Sequence, residues 1–352
     1  MYNKMLTSSK KILGKNAILN SLLRNQVDTV FGYSGGAILP VFDALYNTNI
    51  RYFMNRHEQS SGHCAEGYAK VTGKPGIVTT TSGPGVTNLI TPLQDSYSDG
   101  VPIIVLTGQV PTKAIGTDAF QECPSIELTK PCTKWNYRLT NADEISAIID
   151  EAFKVATSGR PGPVHIDLPK DIMSSQVNEE NYTLPILLRD KKNPFRFNDF
   201  KKVKKLLGLI NKSQKPIIIA GHGCNNYSKE LRTFANKSNI PVTTTLHGLG
   251  VFDENSDLSL HMLGMHGSAY ANYAIQDADL ILSFGARFDD RIIGTIDGYA
   301  PKAREAEKKG KGGIFQFEIE PTQLNKTITP TDVFLGDCGM YLNFLNEYSK
   351  FN

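Results

Sequence analysis

One carboxylate in the N-terminal half lies where an α/β enzyme places its reactive groups. Glu58 comes shortly after the apolar run 51–54 and opens a segment with helical periodicity. Because ligands bind at the carboxyl ends of parallel strands, a carboxylate there can take part in acid–base chemistry. The alternative is a first-turn acid stabilised by the helix dipole, and spacing alone favours this second interpretation. Glu66, further along the same segment, is predicted to be structural.

Glycine-rich turns that follow apolar runs could bind a phosphate-bearing ligand. Residues 79–88 read T-T-T-S-G-P-G-V-T-N, and residues 31–40 read F-G-Y-S-G-G-A-I-L-P. Glycines between a strand and a helix let the backbone approach a ligand, but they equally allow a helix to pack tightly on its strand. The first turn is not a dinucleotide fingerprint, because Asn88 replaces the third glycine of G-x-G-x-x-G. The pattern alone leaves both interpretations open.

The C-terminal half repeats this arrangement. G-H-G-C-N-N (221–226) and G-A-R-F-D-D-R (285–291) each follow an apolar run. Glycines next to charged residues at strand ends suit a ligand with a phosphate or ribityl group, and ordinary sheet turns with surface ion pairs are the alternative. In H-M-L-G-M-H-G (261–267), Met262 and Met265 could similarly be core residues.

The elements that must position these groups form two α/β blocks. Short apolar runs followed by helical periodicity indicate parallel sheets with helices on both faces. In the first block we predict strands at Thr29–Phe31, Arg51–Met54, Gly76–Thr80, Ile103–Thr107 and Val164–Asp167, with helices near 14–25, 37–47, 58–72, 86–98 and 143–157. In the second we predict strands at Pro216–Ala220, Pro241–Thr244, Leu280–Phe284 and Ile314–Glu318, with helices near 199–211, 226–238, 268–276 and 338–348.

Domain boundaries follow from composition. Residues 174–198 are polar, contain Pro185 and Pro194 and show little periodicity, so they are predicted to be a linker. The first domain is then 1–173 and the second 199–348. Residues 302–313 form a charged, glycine-ended stretch that we predict to lie on the surface.

Composition excludes several classes of protein. The 352 residues are 40% hydrophobic and 21% charged with a formal net charge of +3, which indicates a folded protein and argues against nucleic-acid or membrane binding. Five cysteines without C-x-x-C predict a reducing compartment, and without H-E-x-x-H we expect no protein-ligated metal. No membrane span, signal peptide or transit peptide is expected.

Several segments together identify a family. They include R-H-E-Q (56–59), T-S-G-P-G-V-T-N (81–88), G-T-D-A-F-Q-E (116–122), S-G-R-P-G-P-V-H-I-D-L-P-K-D (158–171), H-M-L-G-M-H-G (261–267) and F-G-A-R-F-D-D-R (284–291). From about residue 12 onward the sequence resembles the large catalytic subunits of acetolactate synthase, which are thiamine-diphosphate enzymes. The resemblance implies two doubly wound parallel-sheet domains, of which the first binds the pyrimidine of thiamine diphosphate and the second is a Rossmann-like FAD domain.

The resemblance also implies roles for individual residues. Glu58 matches the glutamate that hydrogen-bonds N1′ of the aminopyrimidine, and Glu58, Gln121 and Arg291 are the implied catalytic residues. The implied thiamine-diphosphate residues are Tyr33, Gly35, Glu58, Pro84 and Asn88. The implied substrate residues are Pro111, Ala119, Lys170, Met265 and Arg291. The implied FAD residues are Arg160, Gly221, Gly223, Thr245, Leu246, Leu263, Gly264, Met265, His266, Gly285, Arg287, Asp289, Glu318 and Asp337.

The implied activity is a transferase reaction of branched-chain amino-acid synthesis. Pyruvate is decarboxylated, and its hydroxyethyl group passes to a second pyruvate or to 2-oxobutanoate. The family pattern implies thiamine diphosphate, a structural FAD and Mg²⁺, together with a homodimer of large subunits and a regulatory small subunit. Its Mg²⁺ ligands belong to a third domain that this sequence is not expected to contain, so we expect the chain alone to be inactive.

Two alternatives stay open at this stage. The chain could be a two-domain FAD-binding partner that regulates or helps assemble a longer subunit. It could also be another thiamine-diphosphate decarboxylase or carboligase, which Gln121 and Lys170 disfavour. With no leader expected, the predicted location is the bacterial cytoplasm or the stroma of a plastid that encodes the protein.

Overall fold

The apolar runs become the central strands of two parallel sheets. The structure, a computed structural model, describes residues 11–178 and 197–349. The chain divides into two compact units, Met1–Arg189 and Asp190–Asn352. Each unit contains a six-stranded sheet in which all neighbouring strands run parallel.

The first unit is built on the strand order β3-β2-β4-β5-β7-β6. Its strands are β1 (Lys11–Leu13), β2 (Thr29–Gly32), β3 (Arg51–Met54), β4 (Gly76–Thr80), β5 (Ile103–Gln109), β6 (Trp135–Arg138), β7 (Val164–Pro169) and β8 (Gln176–Asn178). Its helices are α1 (Gly14–Arg24), α2 (Leu39–Leu45), α3 (Glu58–Thr72), α4 (Pro84–Thr87), α5 (Ile90–Asp99), α6 (Ser125–Thr129), α7 (Ile145–Thr157) and α8 (Lys170–Ser174). β1 and β8 pair antiparallel in a small separate sheet.

The central strands of the first sheet are buried on both faces. Every residue of β4, β5 and β7 is buried, as expected for central strands of a parallel sheet that helices cover on both sides. In β5, Ile104 and Leu106 belong to the core on one face, whereas Ile103 and Val105 belong to the core on the other.

The second unit has the strand order β11-β10-β9-β12-β13-β14. Its strands are β9 (Pro216–Ala220), β10 (Val242–Thr244), β11 (Ser259–Met262), β12 (Leu280–Phe284), β13 (Gly313–Glu318) and β14 (Asp332–Leu335). Its helices are α9 (Phe197–Ile210), α10 (Ser228–Ser238), α11 (Ala269–Asp277), α12 (Asp290–Ile293), α13 (Pro301–Lys308) and α14 (Cys338–Tyr348). Numbered within the unit, the order is 3-2-1-4-5-6, which is common among doubly wound sheets.

Aromatic rings join three neighbouring strands of this sheet. The ring of Phe317 stacks on Phe284 with centroids 4.3 Å apart and on Phe334 with centroids 4.5 Å apart. Tyr341 of α14 packs edge-on against Phe317. All four side chains are buried, so this stack forms the centre of one core of the unit.

The predicted α/β class is confirmed, and most predicted central strands lie within a residue or two of their expected bounds. The strands missing from the prediction are short edge strands such as β6, β11 and β14, whose half-buried residues give no continuous apolar run. The helix predicted near 86–98 is instead two helices, α4 and α5, separated at Asn88–Leu89.

The structure changes the prediction for residues 302–313 and describes only part of the predicted linker. Residues 302–313 are not only a charged surface stretch, because Pro301–Lys308 is helix α13 and buries Ala303 and Ala306. The first residues of the predicted linker, 174–178, belong to the end of α8 and to β8, and residues 179–196 lie outside the described residues. Within the described ranges, no helix is long and apolar enough to cross a membrane.

Removing the central ring of the aromatic stack should destabilise the second unit. Phe317→Ala leaves a cavity between two stacked rings, and we expect the free energy of unfolding to fall by about 3–5 kcal/mol. Urea unfolding followed by far-UV circular dichroism measures this. Tyr273→Ala is the control, since that side chain is 75% exposed and its loss should have little effect. Equal effects of the two substitutions would contradict this description of the core.

Candidate functional site

The sheet of the first unit has a switch point between β2 and β4. These strands are neighbours, although β3 lies between them in sequence and pairs on the other side of β2. Loops that leave the carboxyl ends of β2 and β4 therefore diverge to opposite sides and leave a crevice, the usual ligand position in open α/β sheets. The three segments that follow β2, β3 and β4 carry Gly35, Glu58 and Pro84.

A hydrogen bond connects two of the predicted thiamine-diphosphate residues. Asn88 Nδ2 donates to Glu58 Oε2 at 2.9 Å. Glu58 is the first residue of α3, and the His57 side chain caps this helix by accepting from the Gln59 N–H. Both Glu58 and Asn88 are half-buried. The contact fixes a carboxylate at the sheet edge, at a depth where solvent and a ligand can still reach it.

Close backbone packing shapes the crevice next to this carboxylate. A Cβ added to Gly35 would lie 2.4 Å from Thr81 Cβ, so only glycine permits this approach between the loops after β2 and β4. The backbone N–H of Ala37 donates to Thr81 Oγ1 at 3.4 Å. Tyr33, at the start of the same loop, is 39% exposed.

The turn before α4 is packed against the backbone of another predicted residue. Gly83 has φ +56°, and a Cβ there would lie 2.8 Å from the carbonyl oxygen of Gln121. Gln121 itself has φ +60°, a left-handed backbone conformation that residues other than glycine rarely adopt. Pro84 is exposed beside this contact. The structure thus brings Gln121 to the Pro84 turn, 37 residues away in sequence.

Glu122 organises the loop that leads to Gln121. Its carboxylate accepts hydrogen bonds from the backbone N–H groups of Gly116 and Ala119. These donors, of which Gly116 is the strongest, lower the pKa of Glu122. The predicted substrate residue Ala119 is therefore part of a loop that is held by its own carboxylate.

Two further predicted substrate residues, Pro111 and Lys170, lie at the ends of the paired strands β5 and β7. Gln109 is opposite Pro169 in the register. Beyond the strands, the N–H and the hydroxyl of Thr112 both donate to the carboxylate of Asp171. Since Thr112 follows Pro111 and Asp171 follows Lys170, this interaction holds the two positions near each other, and both side chains are exposed.

A buried polar layer lies beneath the carboxyl ends of β5 and β7. The ring nitrogens of His165 are 2.7 and 2.9 Å from the hydroxyl oxygens of Thr107 and Thr129. Asp167 forms an ion pair with Arg138 at 2.7 Å and is fully buried. Complete burial lowers the pKa of His165 to about 4. The sequence prediction missed this layer, although polar residues at every second position of V-H-I-D-L and L-T-G-Q were a signal for it.

In the second unit, the predicted FAD residues cluster at strand ends. They come from six strands. Each lies a few positions after the carboxyl end of its strand, except Glu318, which is the last residue of β13. The turns after β9 and β12 touch each other directly. A Cβ on Gly285 would lie 2.6 Å from Gly223 Cα, and a Cβ on Gly221 would lie 2.3 Å from the Gly285 carbonyl oxygen.

The structure brings the predicted substrate residues Met265 and Arg291 into contact. The Met265 N–H donates to the Arg291 carbonyl oxygen at 2.7 Å, and the Arg291 guanidinium lies 3.4 Å from Met265 Sδ. Gly264, with φ +99°, allows this approach, because a Cβ there would be 2.3 Å from the Arg291 carbonyl oxygen. His266 is exposed next to them.

The three acidic FAD candidates already have partners within the chain. Asp289 accepts from the N–H groups at the start of α12 and lies 3.5 Å from Arg287 Nε. Glu318 accepts from the Ile319 and Glu320 N–H groups. Asp337 caps α14 and accepts from the Tyr227 hydroxyl at 2.7 Å, which raises the pKa of Tyr227 to about 12.

The remaining candidates differ in accessibility. Thr245 donates its N–H to the Ala220 carbonyl oxygen, and Leu246 is 64% exposed. Leu263 is buried in the core, so its backbone is the part closest to a ligand at the sheet edge. Arg160 belongs to the first unit, where its guanidinium donates to the Tyr97 and Ser98 carbonyl oxygens.

One cluster of possible metal ligands occurs among the described residues. The ligand atoms of His63, Glu66 and Asp95 lie within 4.8 Å of one another. Glu66 is buried, which raises its pKa, and its oxygens already contact the Ser96 hydroxyl and the His63 ring. These contacts agree with the structural role predicted for Glu66.

The buried histidine should make stability depend on pH. Between pH 6.5 and about 4 the unfolded chain binds a proton on His165 that the folded chain does not, so folding stability falls as pH falls through this window. Measured by urea unfolding at pH 7 and pH 4, the wild type should lose about 3 kcal/mol more than His165→Gln. Equal losses would show that folding does not change the pKa of His165.

Comparisons with known proteins agree with this geometry. Residues 13–128 match the family described as "Thiamine pyrophosphate enzyme, N-terminal TPP binding domain", where thiamine pyrophosphate is another name for thiamine diphosphate. Residues 203–345 match "Thiamine pyrophosphate enzyme, central domain". The two matches fall in the first and the second unit respectively.

Individual relatives are similar over nearly the whole chain. The mitochondrial acetolactate synthase catalytic subunit of Saccharomyces cerevisiae is 46% identical over 342 residues, which are 95% of this chain and 50% of the relative. The chloroplastic enzyme of Arabidopsis thaliana is 43% identical over 339 residues, with 95% and 49% covered. The large subunit of Parasynechococcus marenigrum is 42% identical over 350 residues, with 96% and 54% covered.

The chain thus spans about half the length of the curated relatives it matches. Both of its units match domains of one enzyme family, and Glu58 lies at the switch point of the first unit. The chain therefore belongs to the thiamine pyrophosphate enzymes and is a homologue of the acetolactate synthase catalytic subunits.

Proposed function

We propose that this chain supplies the aminopyrimidine-binding and flavin-binding parts of an acetolactate synthase. The observation that carries the proposal is the Asn88–Glu58 hydrogen bond at the switch point, beside the contact between Gly83 and Gln121. In the proposed reaction, pyruvate loses CO₂ and its hydroxyethyl group is transferred to a second pyruvate or to 2-oxobutanoate.

The residues of the first unit fit thiamine diphosphate. A half-buried carboxylate faces a crevice whose walls approach so closely at Gly35 and Gly83 that a Cβ at either position would collide with its neighbour. Such a crevice suits a flat heteroaromatic ring with a nitrogen that can share a proton with the carboxylate. When bound, thiamine diphosphate supplies the carbanion-stabilising chemistry that decarboxylation of a 2-oxo acid needs.

Each residue of this site would then have a defined task. Glu58 holds a proton between its carboxylate and the ring nitrogen N1′, and the Asn88 amide keeps the carboxylate oriented. Gln121, at the Gly83 turn, lines the same crevice. Pro111, Ala119 and Lys170 form the entrance, where the Lys170 ammonium attracts the carboxylate of the substrate.

For the second unit we propose FAD as the ligand. The turns after β9 and β12 pack against each other through glycines at the carboxyl ends of their strands, and this edge of a doubly wound sheet is where dinucleotides usually bind. The strand order, which is that of many dinucleotide-binding sheets, supports the same ligand. Arg291, in contact with Met265, would bind the carboxylate of the second 2-oxo acid through its planar guanidinium.

Further components of the proposal come from the family. We propose Mg²⁺ as the counter-ion of the diphosphate and assign it no ligand among the described residues. We also propose a homodimer and a regulatory subunit, in line with the names "catalytic subunit" and "large subunit" of the relatives. The named relatives come from mitochondria, chloroplasts and a bacterium, so we propose no single compartment.

Replacing the glutamate should weaken thiamine-diphosphate binding. Glu58→Gln removes the charged acceptor for the ring nitrogen, and we expect the dissociation constant to rise about 10- to 100-fold, because hydrogen bonds to charged groups contribute more than neutral ones. Saturation-transfer NMR on the pyrimidine protons, with Mg²⁺ present, measures this constant. Binding, rather than turnover, is the quantity compared between the samples.

Glu230→Gln is the matched control. Glu230 is also a half-buried glutamate in the first turn of a helix, α10, so its replacement removes the same interaction with a helix dipole. If both substitutions leave binding unchanged, Glu58 is only a first-turn acid and the proposed site is wrong.

Flavin binding should depend on the glycine contact in the second unit. Gly285→Ala places a methyl group 2.6 Å from Gly223 Cα, so we expect the flavin bound per chain to fall at least about tenfold. Gly310→Ala imposes a similar backbone strain, since φ there is +64°, but meets no atom within 4 Å. Flavin absorbance released on denaturation gives the occupancy. Equal occupancy in the two variants would contradict the proposed FAD position.

A further inference from the structure

Gln109 is a buried polar residue to which neither the family resemblance nor the proposed reaction gives a role. It is the last residue of β5 and is 1% exposed. Its Nε2 lies within hydrogen-bond distance of three acceptors: the Cys123 carbonyl oxygen at 3.3 Å, Asp167 Oδ2 at 3.2 Å and Ser125 Oγ at 3.4 Å. Its Oε1 accepts from the Val110 N–H at 2.9 Å, which fixes which way the amide points.

Three predicted site residues are close in sequence to Gln109 or to residues that pair with it. Gln109 precedes Pro111 by two positions, and it pairs in register with Pro169, the neighbour of Lys170. The carbonyl group that it holds belongs to Cys123, two positions after Gln121. The amide is thus a common attachment point for segments that lie far apart in sequence.

The Asp167 carboxylate binds the Gln109 amide and is itself held by several groups. Its carboxylate accepts from Ser125 Oγ at 2.7 Å and from Thr107 Oγ1 at 3.2 Å, and the Arg138 guanidinium balances its charge. All of these groups except Arg138 are buried. A buried hydrogen bond to a charged acceptor has few alternative geometries, so it holds Gln109 in one orientation.

The Gln121 backbone needs such support. Its left-handed conformation is unfavourable for a residue with a side chain and persists only where neighbouring structure holds it. On one side the Gly83 turn packs against it. On the other side the loop is held by Glu122 and, beyond Gln121, by the bond from Gln109 to Cys123.

We propose that Gln109 is a positioning residue that holds Gln121 against the Gly83 turn by fixing the carbonyl group of Cys123. The proposal rests on the proposed function, in which Gln121 lines the thiamine-diphosphate crevice. In this proposal Gln109 touches neither cofactor nor substrate. It acts through the backbone of the loop 116–123.

The test is a double-mutant cycle on the full chain. Gln109→Met keeps the length of the side chain and removes its donors, and Gln121→Ala removes the group that it positions. Thiamine-diphosphate affinity is measured for the wild type, both single variants and the double variant. We expect Gln109→Met to weaken binding about tenfold and to have no further effect once Gln121 is replaced, since residues that act as one unit are not additive.

Amide hydrogen exchange and further variants give independent readouts of the same coupling. Amide hydrogen exchange in 116–123 should accelerate at least about tenfold in Gln109→Met. Ser125→Ala, a milder change in the same network, should show the same coupling to Gln121 if Gln109→Met does not fold. Gln316→Met is the matched control, because Gln316 is a buried glutamine of a central strand whose amide atoms have no hydrogen-bond partner within the described part of the chain.

The outcomes separate this inference from the proposed function. If the double variant weakens thiamine-diphosphate binding by the product of the two single effects, Gln109 and Gln121 act independently and the inference is wrong. If Glu58→Gln weakens binding but Gln121→Ala does not, the inference is wrong and the thiamine site stands. If Glu58→Gln also has no effect, the proposed function fails and the inference fails with it.

Discussion

The close approach of backbones at the carboxyl ends of parallel strands is the constraint on which both units depend. In the first unit, Gly35 and Gly83 let loops from different strands meet where any side chain would collide. In the second, Gly221, Gly223 and Gly285 do the same. A parallel sheet brings its strand ends to one edge, and glycine lets the loops there pack into a crevice instead of spreading apart. In the first unit, Asn88 donates to the Glu58 carboxylate, and the Gly83 turn of the same segment packs against the Gln121 backbone.

Much of this arrangement could be predicted from the sequence because its signals are local. A buried central strand such as β4 or β12 is a continuous apolar run, and the strand end marks where a functional residue follows. Edge strands such as β11 were missed because half-buried residues carry no such signal. The contact between Gly83 and Gln121, and the one between Thr112 and Asp171, join residues far apart in sequence. Residue types alone cannot predict such pairs.

The polar layer under β5 and β7 combines a local sequence pattern with contacts between residues far apart in sequence. His165, Asp167 and Gln109 are buried on one face of strands that are otherwise apolar. Burying an unpaired polar group is costly, so each of these must be hydrogen-bonded. Besides Thr107 and Arg138, the partners are Ser125 and Thr129 of α6 and Cys123 of the loop before it. The layer therefore ties the fold of the sheet to the position of the loop that carries Gln121. In the second unit the rings of Phe284, Phe317 and Phe334 stack across three strands, and the acidic groups Asp289 and Asp337 serve as helix caps.

The central claim is that the aminopyrimidine ring binds at the β2–β4 switch point with its nitrogen on Glu58. A crystal structure of the chain soaked with thiamine diphosphate and Mg²⁺ tests this most directly. We expect ring density between the Gly35 and Gly83 loops, with a ring nitrogen within hydrogen-bond distance of the Glu58 carboxylate and with Asn88 still donating to it. Ring density elsewhere, or a ring in the crevice that makes no contact with Glu58, would contradict the account.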